Sequence, residues 1–439
     1  MIITLMIVVF VLGYMAIALE HTIKVDKAAS ALFIGALCWA FYAFSPEVTV
    51  TPHILEDEIQ HHIIHIAEIL FFLLGAMTIV ELVDSHQGFS IITDKIQTKN
   101  KLKLLWIICG IAFFFSAVLD NLATAIVMAS LLNKLIKNKN DLWLFGGMVI
   151  LSANAGGAWS PIGDVTTIML YAKEYISERI IIDIFIPSLV CAIVPLIYLS
   201  FKVKGNIESP ENAILKEHES NPTTKSERNL IFYLGVAGLL FVPIFKILTG
   251  LPPYIGMLLS LSVLWIVTEI VHRSKNHEQK SQYSVVGVLK KVDTPTIFFF
   301  LGILLAVSAL QSAGQLNIVA TYLQNTFTGE SGIYKINIII GLLSSIVDNV
   351  PLVAGAMQMY QDLLSTTGYY QPDGMFWQFL AYCAGTGGSV LIIGSAAGVA
   401  IMGILKIDFI WYLKRISLLA LMGYLAGAAT YILQCYIMQ

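Results

Sequence analysis

Two aspartate–asparagine pairs occur in apolar surroundings, far apart in the sequence. The first, Asp120-Asn121, lies in "SAVLDNLATAIVMAS", and the second, Asp348-Asn349, lies in "SSIVDNVPLVAGAM". An ionised carboxylate in membrane hydrocarbon costs about 2.5–3.5 kcal/mol even on insertion scales, so each aspartate needs a partner, a proton or an aqueous cavity. Carboxylate, amide and carbonyl oxygens are the ligands that hard cations prefer. We therefore predict a cation site at each pair, against the alternative that each aspartate only caps the helix after it.

Hydroxyl and amide groups that can complete such a site recur near the two pairs. The predicted supporting ligands are Ser116, Ser152, Asn154, Ser344, Thr386 and Ser389. Two further carboxylates, Asp164 and Glu68, lie within apolar segments and are candidate proton relays. The alternatives are that Asp164 is an N-cap for the helix after it, and that Glu68 lies at the outer membrane interface.

Other kinds of site find little support. No lysine or arginine occurs beside the two pairs in the sequence, although an anion site is expected to place one there, and this favours a cation substrate. The five cysteines have no CxxC spacing, so neither a disulfide framework nor a metal cluster is expected. The stretch "GTGGSVLIIGS" lacks the lysine of a phosphate-binding loop. We predict no cofactor and no nucleic-acid partner.

The composition is that of a membrane protein. Of 439 residues, 57% are hydrophobic and 13% are charged, compared with about 25% charged in soluble domains. The mean hydropathy is +0.78. Eight runs each offer about the 20 apolar residues that a spanning helix needs. These runs are 2–19, 28–45, 63–83, 180–201, 229–249, 254–272, 295–314 and 409–437. We predict an all-α polytopic membrane protein.

The distribution of lysine and arginine orients the chain, because these residues concentrate in cytoplasmic loops. Loops 84–103 and 273–294 are rich in lysine and are predicted to be cytoplasmic. Stretches 315–332 and 362–376 contain no lysine or arginine and are predicted to be external.

Two segments are predicted to be re-entrant hairpins. Segment 104–136 has basic residues at both ends, and its first arm of 16 residues, 104–119, is too short to cross about 30 Å of hydrocarbon. It is predicted to enter from the cytoplasm and to turn back at Asp120. Segment 333–366 lies between the two stretches without lysine or arginine, so it is predicted to enter from outside and to turn at Asp348.

The chain contains an internal repeat. Ser344 follows Ser116, and Asp348 follows Asp120, by the same interval of 228 residues. A glycine-interrupted segment follows each hairpin, over 143–170 and 376–404, and both are predicted to be broken spans.

Each repeat is predicted to contain three spans, a hairpin, a broken span and a closing span. The first repeat covers 1–205, a cytoplasmic linker covers 206–228, and the second repeat covers 229–439. The hairpin does not cross the membrane, so each repeat has five crossings. Because this number is odd, the second repeat must insert with inverted topology, as in many secondary transporters. Ten crossings place both termini outside, in the inner (plasma) membrane if the source is bacterial.

Several stretches resemble the NhaD-type sodium/proton antiporters of the ion transporter superfamily. They are "SANAGGAWSPIGDVTTIML", the twin Asp-Asn hairpins and "AEILFFLLGAMTIVEL", and the resemblance covers essentially the whole chain. It implies exchange of Na⁺ or Li⁺ for H⁺ by alternating access, and a homodimer with separate scaffold and transport parts. It also implies that Asp120, Asn121, Asp348 and Asn349 hold Na⁺ at the hairpin tips.

Two other functions remain open from the sequence. The first is a Na⁺-coupled carboxylate symporter of the same superfamily. In such symporters the corresponding hairpin tips read Ser-Asn-Thr, whereas in this chain they read Leu-Asp-Asn and Val-Asp-Asn, so this function is disfavoured. An intramembrane aspartyl protease needs two aspartates on adjacent spans with a GxGD pattern, and "SPIGDV" provides only part of that pattern. We therefore predict a transporter and not an enzyme.

Overall fold

A computed structural model describes most of the chain. The described residues are 2–18, 23–45, 52–93, 98–207, 224–273, 275, 283–346, 348–364 and 368–438. Most of the predicted cytoplasmic linker, 208–223, lies outside the described residues.

The described part of the chain is helical, and its one isolated β-bridge pairs Asn100 with Asn206. We number the helices in chain order. They are α1 Ile2–Ala18, α2 Lys27–Ala43, α3 Pro52–Ser85, α4 Ser90–Thr93, α5 Lys101–Leu119, α6 Asn121–Leu135, α7 Lys139–Ala158, α8 Val165–Ala172, α9 Ile180–Asp183, α10 Phe185–Ser200, α11 Lys225–Thr249, α12 Pro253–Val271, α13 Val285–Leu289, α14 Thr294–Ser312, α15 Gln315–Thr326, α16 Gly329–Leu343, α17 Asn349–Met359, α18 Met375–Gly387, α19 Ala396–Leu405, α20 Phe409–Arg415 and α21 Ser417–Met438.

The helix lengths are those of a multi-pass membrane protein. Within the described residues, seven helical segments are long and apolar enough to cross a membrane, or eight if the bent pair α19 and α20 counts as one span. α1 and α2 are apolar helices of 17 residues each, which fall just below that length. The predicted classes of helical fold and membrane protein are therefore confirmed, whereas the ten crossings remain a prediction.

Two sequence expectations differ from the observed helices. The run 409–437 is not one helix, because α20 ends with Lys414 and Arg415 and α21 begins only at Ser417. α15, which has exposed apolar side chains such as Ile318 and Tyr322, lies in a stretch that was expected to be a loop.

The helices pack as two groups. The span group consists of α1, α2, α3, α11, α12 and α14. The hairpin group consists of the predicted hairpins (α5, α6, α16 and α17), the predicted broken spans (α7, α8, α18 and α19), α10 and α21. Within the span group, α2 crosses α14 so closely that a Cβ on Gly35 would lie 2.5 Å from the carbonyl oxygen of Gly302. The two groups meet where α14 contacts α17 and where α3 contacts α8.

Side-chain contacts show that α5 and α6 turn back on each other. Lys101 at the start of α5 forms a 2.7 Å ion pair with Asp141, which lies in the first turn of α7 just after α6 ends. The start of α5 and the end of α6 are therefore close in space. In the second half, α16 and α17 are separate helices, and their re-entrant arrangement remains a prediction.

Each predicted broken span consists of two helices, α7 and α8 or α18 and α19, and in the first the interruption does not begin at the paired glycines. α7 continues through Gly156 and Gly157 and ends at Ala158, and α18 includes Gly387 as its last residue. These glycines permit a close approach instead. A Cβ on Gly156 would lie 2.1 Å from the Phe113 carbonyl oxygen, and one on Gly387 would lie 2.0 Å from that of Gly341.

Candidate cation-binding site

Asp164 lies at the centre of a buried polar cluster, at the point where the first broken span resumes as a helix. It is the N-cap of α8, and its Oδ1 accepts 2.8 Å hydrogen bonds from the backbone N–H and the hydroxyl of Thr166. Thr167 completes a capping box. The side chain is 1% exposed, so the N-cap role and burial in a polar cluster coexist.

Asparagines from both predicted hairpin tips meet at this carboxylate. Asn121, the first residue of α6, donates from Nδ2 to Asp164 Oδ2. Asn349, the first residue of α17, donates from Nδ2 to both carboxylate oxygens, at 3.3 and 3.4 Å. The two asparagines, which were predicted from the sequence as ion-site residues, therefore share one carboxylate that was predicted only as a candidate relay.

Asn154 connects the cluster to the second broken span. Its Oδ1 accepts a 3.1 Å hydrogen bond from Asn121, and its Nδ2 donates 2.9 Å hydrogen bonds to the hydroxyl oxygens of Ser389 and Ser395. Both serines are buried. Side chains from both predicted hairpins and both predicted broken spans thus form one network, which includes Asn154 and Ser389.

Asp120 connects α5 to α6 in an unusual backbone conformation. Its φ of 87° and ψ of 163° lie in a region that only glycine occupies readily, at a cost of order 1–3 kcal/mol for other residues. Its Oδ1 accepts a 2.7 Å hydrogen bond from the N–H of Ala123, so the capping alternative is present in the structure. Asp120 is nevertheless 5% exposed and interacts electrostatically with Asp164.

Asp348 caps α17 and also has a cationic partner. Its Oδ1 accepts a 3.4 Å hydrogen bond from the N–H of Val350, and its Oδ2 lies 3.6 Å from Nζ of Lys27. Lys27 belongs to α2, far away in the sequence. The sequence has no lysine or arginine beside the tips themselves, and only the packing of α2 brings this lysine to one of them.

Ser116 and Ser344 make equivalent contacts in the two halves. The Ser116 hydroxyl donates to the carbonyl of Ala153 at 2.5 Å, and the Ser344 hydroxyl donates to the carbonyl of Ala384 at 2.8 Å. Each serine thereby joins the first arm of a hairpin to the neighbouring broken span. The observed hydrogen bonds of both serines are to backbone carbonyls, and neither hydroxyl forms a hydrogen bond to Asp164 among the described residues.

Two other predicted ligands also have local partners. Thr386 donates its hydroxyl hydrogen to the carbonyl of Tyr382 within α18, at 2.6 Å. Ser152 is fully buried in α7 and interacts with Cys109 of α5. Neither side chain forms a hydrogen bond to the Asp164 cluster in the described structure.

Glu68, the second candidate relay, lies away from the cluster. It pairs with Lys173, the C-cap residue of α8, so this ion pair also joins the span group to the hairpin group. Lys173 lines a cavity of about 160 Å³ together with His62, Met169, Met357 and Gln358. None of the Asp164 cluster residues lines this cavity.

Comparison with known proteins identifies close similarity to ion transporters. Residues 3–379 match the family model described as citrate transporter (CitMHS). The chain is 45% identical over 433 residues to Sodium/proton antiporter 1 of Arabidopsis thaliana, a match that covers 97% of this chain and 72% of that protein. It is 42% identical to Sodium/proton antiporter 2 of the same plant, covering 97% of this chain and 98% of that protein.

A bacterial relative extends the comparison. Over 451 residues the chain is 28% identical to the Na(+)/H(+) antiporter NhaD of Vibrio cholerae, covering 97% of this chain and 90% of that protein. Each of the three matches therefore covers 97% of this chain.

Proposed function

Because this chain belongs to the citrate transporter (CitMHS) family and, within it, to the NhaD-type sodium/proton antiporters, we propose that it exchanges Na⁺ for H⁺ across a membrane. It is an integral, multi-pass membrane protein of ion transport.

The observation that carries the proposal is the buried Asp164 carboxylate between two asparagines from different hairpins. An asparagine side chain has both a donor and an acceptor. Asn121 and Asn349 donate their amide hydrogens to Asp164 here. A rotation of either amide by about 180° would turn its oxygen towards a cation at the same carboxylate. The cluster thus supplies the carboxylate and amide oxygens that suit a hard cation such as Na⁺.

Exchange follows if Na⁺ and H⁺ use the same carboxylates. Asp120 and Asp348 both interact electrostatically with Asp164, so the three negative charges cannot remain uncompensated in a buried cluster. A bound Na⁺ favours the ionised carboxylates, and a bound proton removes a negative charge that attracts Na⁺. Binding of one cation therefore opposes binding of the other, and their transport in opposite directions is coupled.

Alternating access is proposed as a movement of the hairpin group relative to the span group. The Asp164 cluster is built from the hairpin group, while Lys27 and Glu68 belong to the span group. The matched hydrogen bonds of Ser116 and Ser344 support a description of the hairpin group as two related halves. We infer that the halves have inverted topology in the membrane. A homodimer and Li⁺ as a second cation are proposed from the family resemblance alone.

A Na⁺-coupled carboxylate symporter is the second candidate, because the family model is described as a citrate transporter. A carboxylate substrate needs a cationic partner. Lys27, which lies beside the second tip, pairs with Asp348, and Lys173, which lines the cavity, pairs with Glu68. This arrangement favours a cation as the substrate.

Everted vesicles that contain the protein distinguish these functions. A pH-sensitive dye reports proton movement when Na⁺, Li⁺, K⁺, citrate or succinate is added in turn. We expect proton efflux with Na⁺ and not with K⁺, and an apparent affinity for Na⁺ that increases with pH until the carboxylates are ionised. Uptake of citrate or succinate together with Na⁺, without Na⁺-driven proton efflux, would overturn the proposal in favour of the symporter.

A further inference from the structure

Lys27 occupies a position that the local structure of α2 does not explain. It is the first residue of the helix, where a positive charge faces the positive end of the helix dipole at a cost of about 0.3–1 kcal/mol. Asp26 already caps this end, because its Oδ1 accepts a 2.7 Å hydrogen bond from the N–H of Ala28. A reason for a lysine here must therefore come from outside α2.

The Lys27 ammonium group contacts both a carboxylate and an aromatic ring. Nζ lies 3.6 Å from Oδ2 of Asp348 and 4.7 Å from the ring centroid of Phe299. The Lys27 and Asp348 side chains are only 22% and 14% exposed, so solvent screens this pair less than a surface ion pair. The aromatic face adds a cation–π attraction of about 0.5–2 kcal/mol.

The pair joins the two helix groups. Phe299 lies on α14, which crosses α2 at Gly302, so the span group itself sets the position of the ammonium group. Asp348 is at the tip of the second hairpin, next to Asn349 of the Asp164 cluster. Asp164 and the buried hydroxyl of Tyr14 also interact electrostatically with Asp348.

We propose that Lys27 is a tethered counter-cation that occupies Asp348 in the exchange cycle and that Na⁺ displaces. This inference rests on the proposed function, because it assumes that Asp348 takes part in Na⁺ binding. The ammonium group neutralises Asp348 when neither Na⁺ nor H⁺ does so. Na⁺ must then compete with two cations, the proton and Lys27, for one carboxylate.

The competition has a measurable consequence. Breaking a partly exposed ion pair costs up to about 1 kcal/mol, and this cost is added to Na⁺ binding whenever Lys27 must leave Asp348. Removal of the lysine charge should therefore strengthen Na⁺ binding.

The experiment measures the KM for Na⁺ of dye-reported proton movement in proteoliposomes, at pH 7, 8 and 9. In Lys27→Met we expect the KM at pH 9 to fall about 2- to 5-fold, corresponding to about 0.4–1 kcal/mol. Lys27→Arg keeps the charge and should retain a KM near that of the wild type. Calorimetric titration of the purified variants with NaCl provides the same comparison without transport, and Lys27→Gln replaces Lys27→Met if that variant does not express.

The matched control is Lys24→Asn, which removes an exposed charge three residues earlier and suits the positive φ of 56° at that position. It should leave the KM unchanged. A Lys27→Met protein that folds with an unchanged or higher KM at pH 9 would overturn the inference. A fall in thermal stability and maximal rate alone would assign Lys27 a purely structural role. Absence of Na⁺-driven proton movement in the wild type would instead refute the proposed function.

Discussion

His86 and His272 contact each other through their Nε2 atoms, which lie 2.8 Å apart, just beyond the spans α3 and α12. His86 Nδ1 lies 2.7 Å from the carbonyl of Leu82 and donates its hydrogen to it, so its Nε2 must accept. His272 Nε2 is then the donor, and both rings are neutral with one proton each. The rings are buried and nearly parallel, with centroids 5.1 Å apart. This contact ties the first half of the chain to the second.

The histidine pair predicts a loss of stability in acid. Burial lowers the pKa of His272 to about 4, and the charges of Lys275 and His86 act in the same direction. Burial also lowers the pKa of His86, against the opposing effect of Glu227. The unfolded chain takes up these protons near pH 6.5, so the stability that the pair contributes is complete above that pH and is lost towards pH 4.

We expect the melting temperature of the purified protein to fall by at least about 2 °C from pH 8 to pH 5. His272→Gln keeps an N–H donor but cannot ionise, and it should reduce the fall. Scanning fluorimetry in detergent measures both proteins. An identical pH dependence in the two proteins would show that other groups cause the effect.

Replacement of the tip aspartates separates ion binding from helix capping. Asparagine caps a helix about as well as aspartate but cannot exchange a proton. Asp120→Asn and Asp348→Asn should therefore fold and insert, yet lose Na⁺-driven proton movement by at least about tenfold, as should Asp164→Asn. Asp408→Asn is the control, because Asp408 is an exposed N-cap of α20. Near-normal exchange in all three site variants would identify these aspartates as caps only.

Asn121 is predicted to be needed for folding as well as transport. Asn121→Leu removes the donor to Asp164 and Asn154, and each buried polar group left without its partner costs about 1–3 kcal/mol. Asn121→Asp should destabilise the protein less, because a protonated carboxyl can still donate one hydrogen bond. Melting temperatures at pH 6 compare the two variants. Equal stability of both would mean that this hydrogen bond contributes little to the fold.

The crossing of α2 and α14 should not tolerate a side chain at Gly302. A Cβ there would lie 2.3 Å from the backbone carbonyl carbon of Ala31, so one helix must shift. Gly302→Ala should lower the free energy of unfolding by about 1–3 kcal/mol. Gly110→Ala is the matched control within a helix, because a Cβ at Gly110 meets no atom within 4 Å. A Gly302→Ala melting temperature equal to that of Gly110→Ala contradicts this prediction.

The inverted topology predicts that Lys99 and Asn325, both exposed, face opposite sides of the membrane. In a background without the five native cysteines, a cysteine at position 99 should react with an impermeant maleimide only from the cytoplasmic side. A cysteine at position 325 should react only from outside. Labelling of both from the same side is incompatible with an inverted repeat.

The features that depend on local sequence could be predicted from the sequence alone. An Asp-Asn pair inside an apolar run must end one helix and start another, because the carboxylate caps free backbone N–H groups, and both helices indeed begin at Asn121 and Asn349. The apolar runs likewise predict the spans, since only helices satisfy their own backbone in lipid. The repeat remains a prediction from the equal intervals between matching residues.

Only the tertiary structure decides which of these residues meet. The sequence ranks Asp120 and Asp348 above Asp164, but the packing of two hairpins around the first broken span places Asp164 between their asparagines. Lys27, which precedes Asp348 by 321 residues, has no local feature that indicates its partner. Helix periodicity and capping act over a few residues, whereas these contacts depend on how whole helices cross, and that depends on the shapes of surfaces far apart in the sequence.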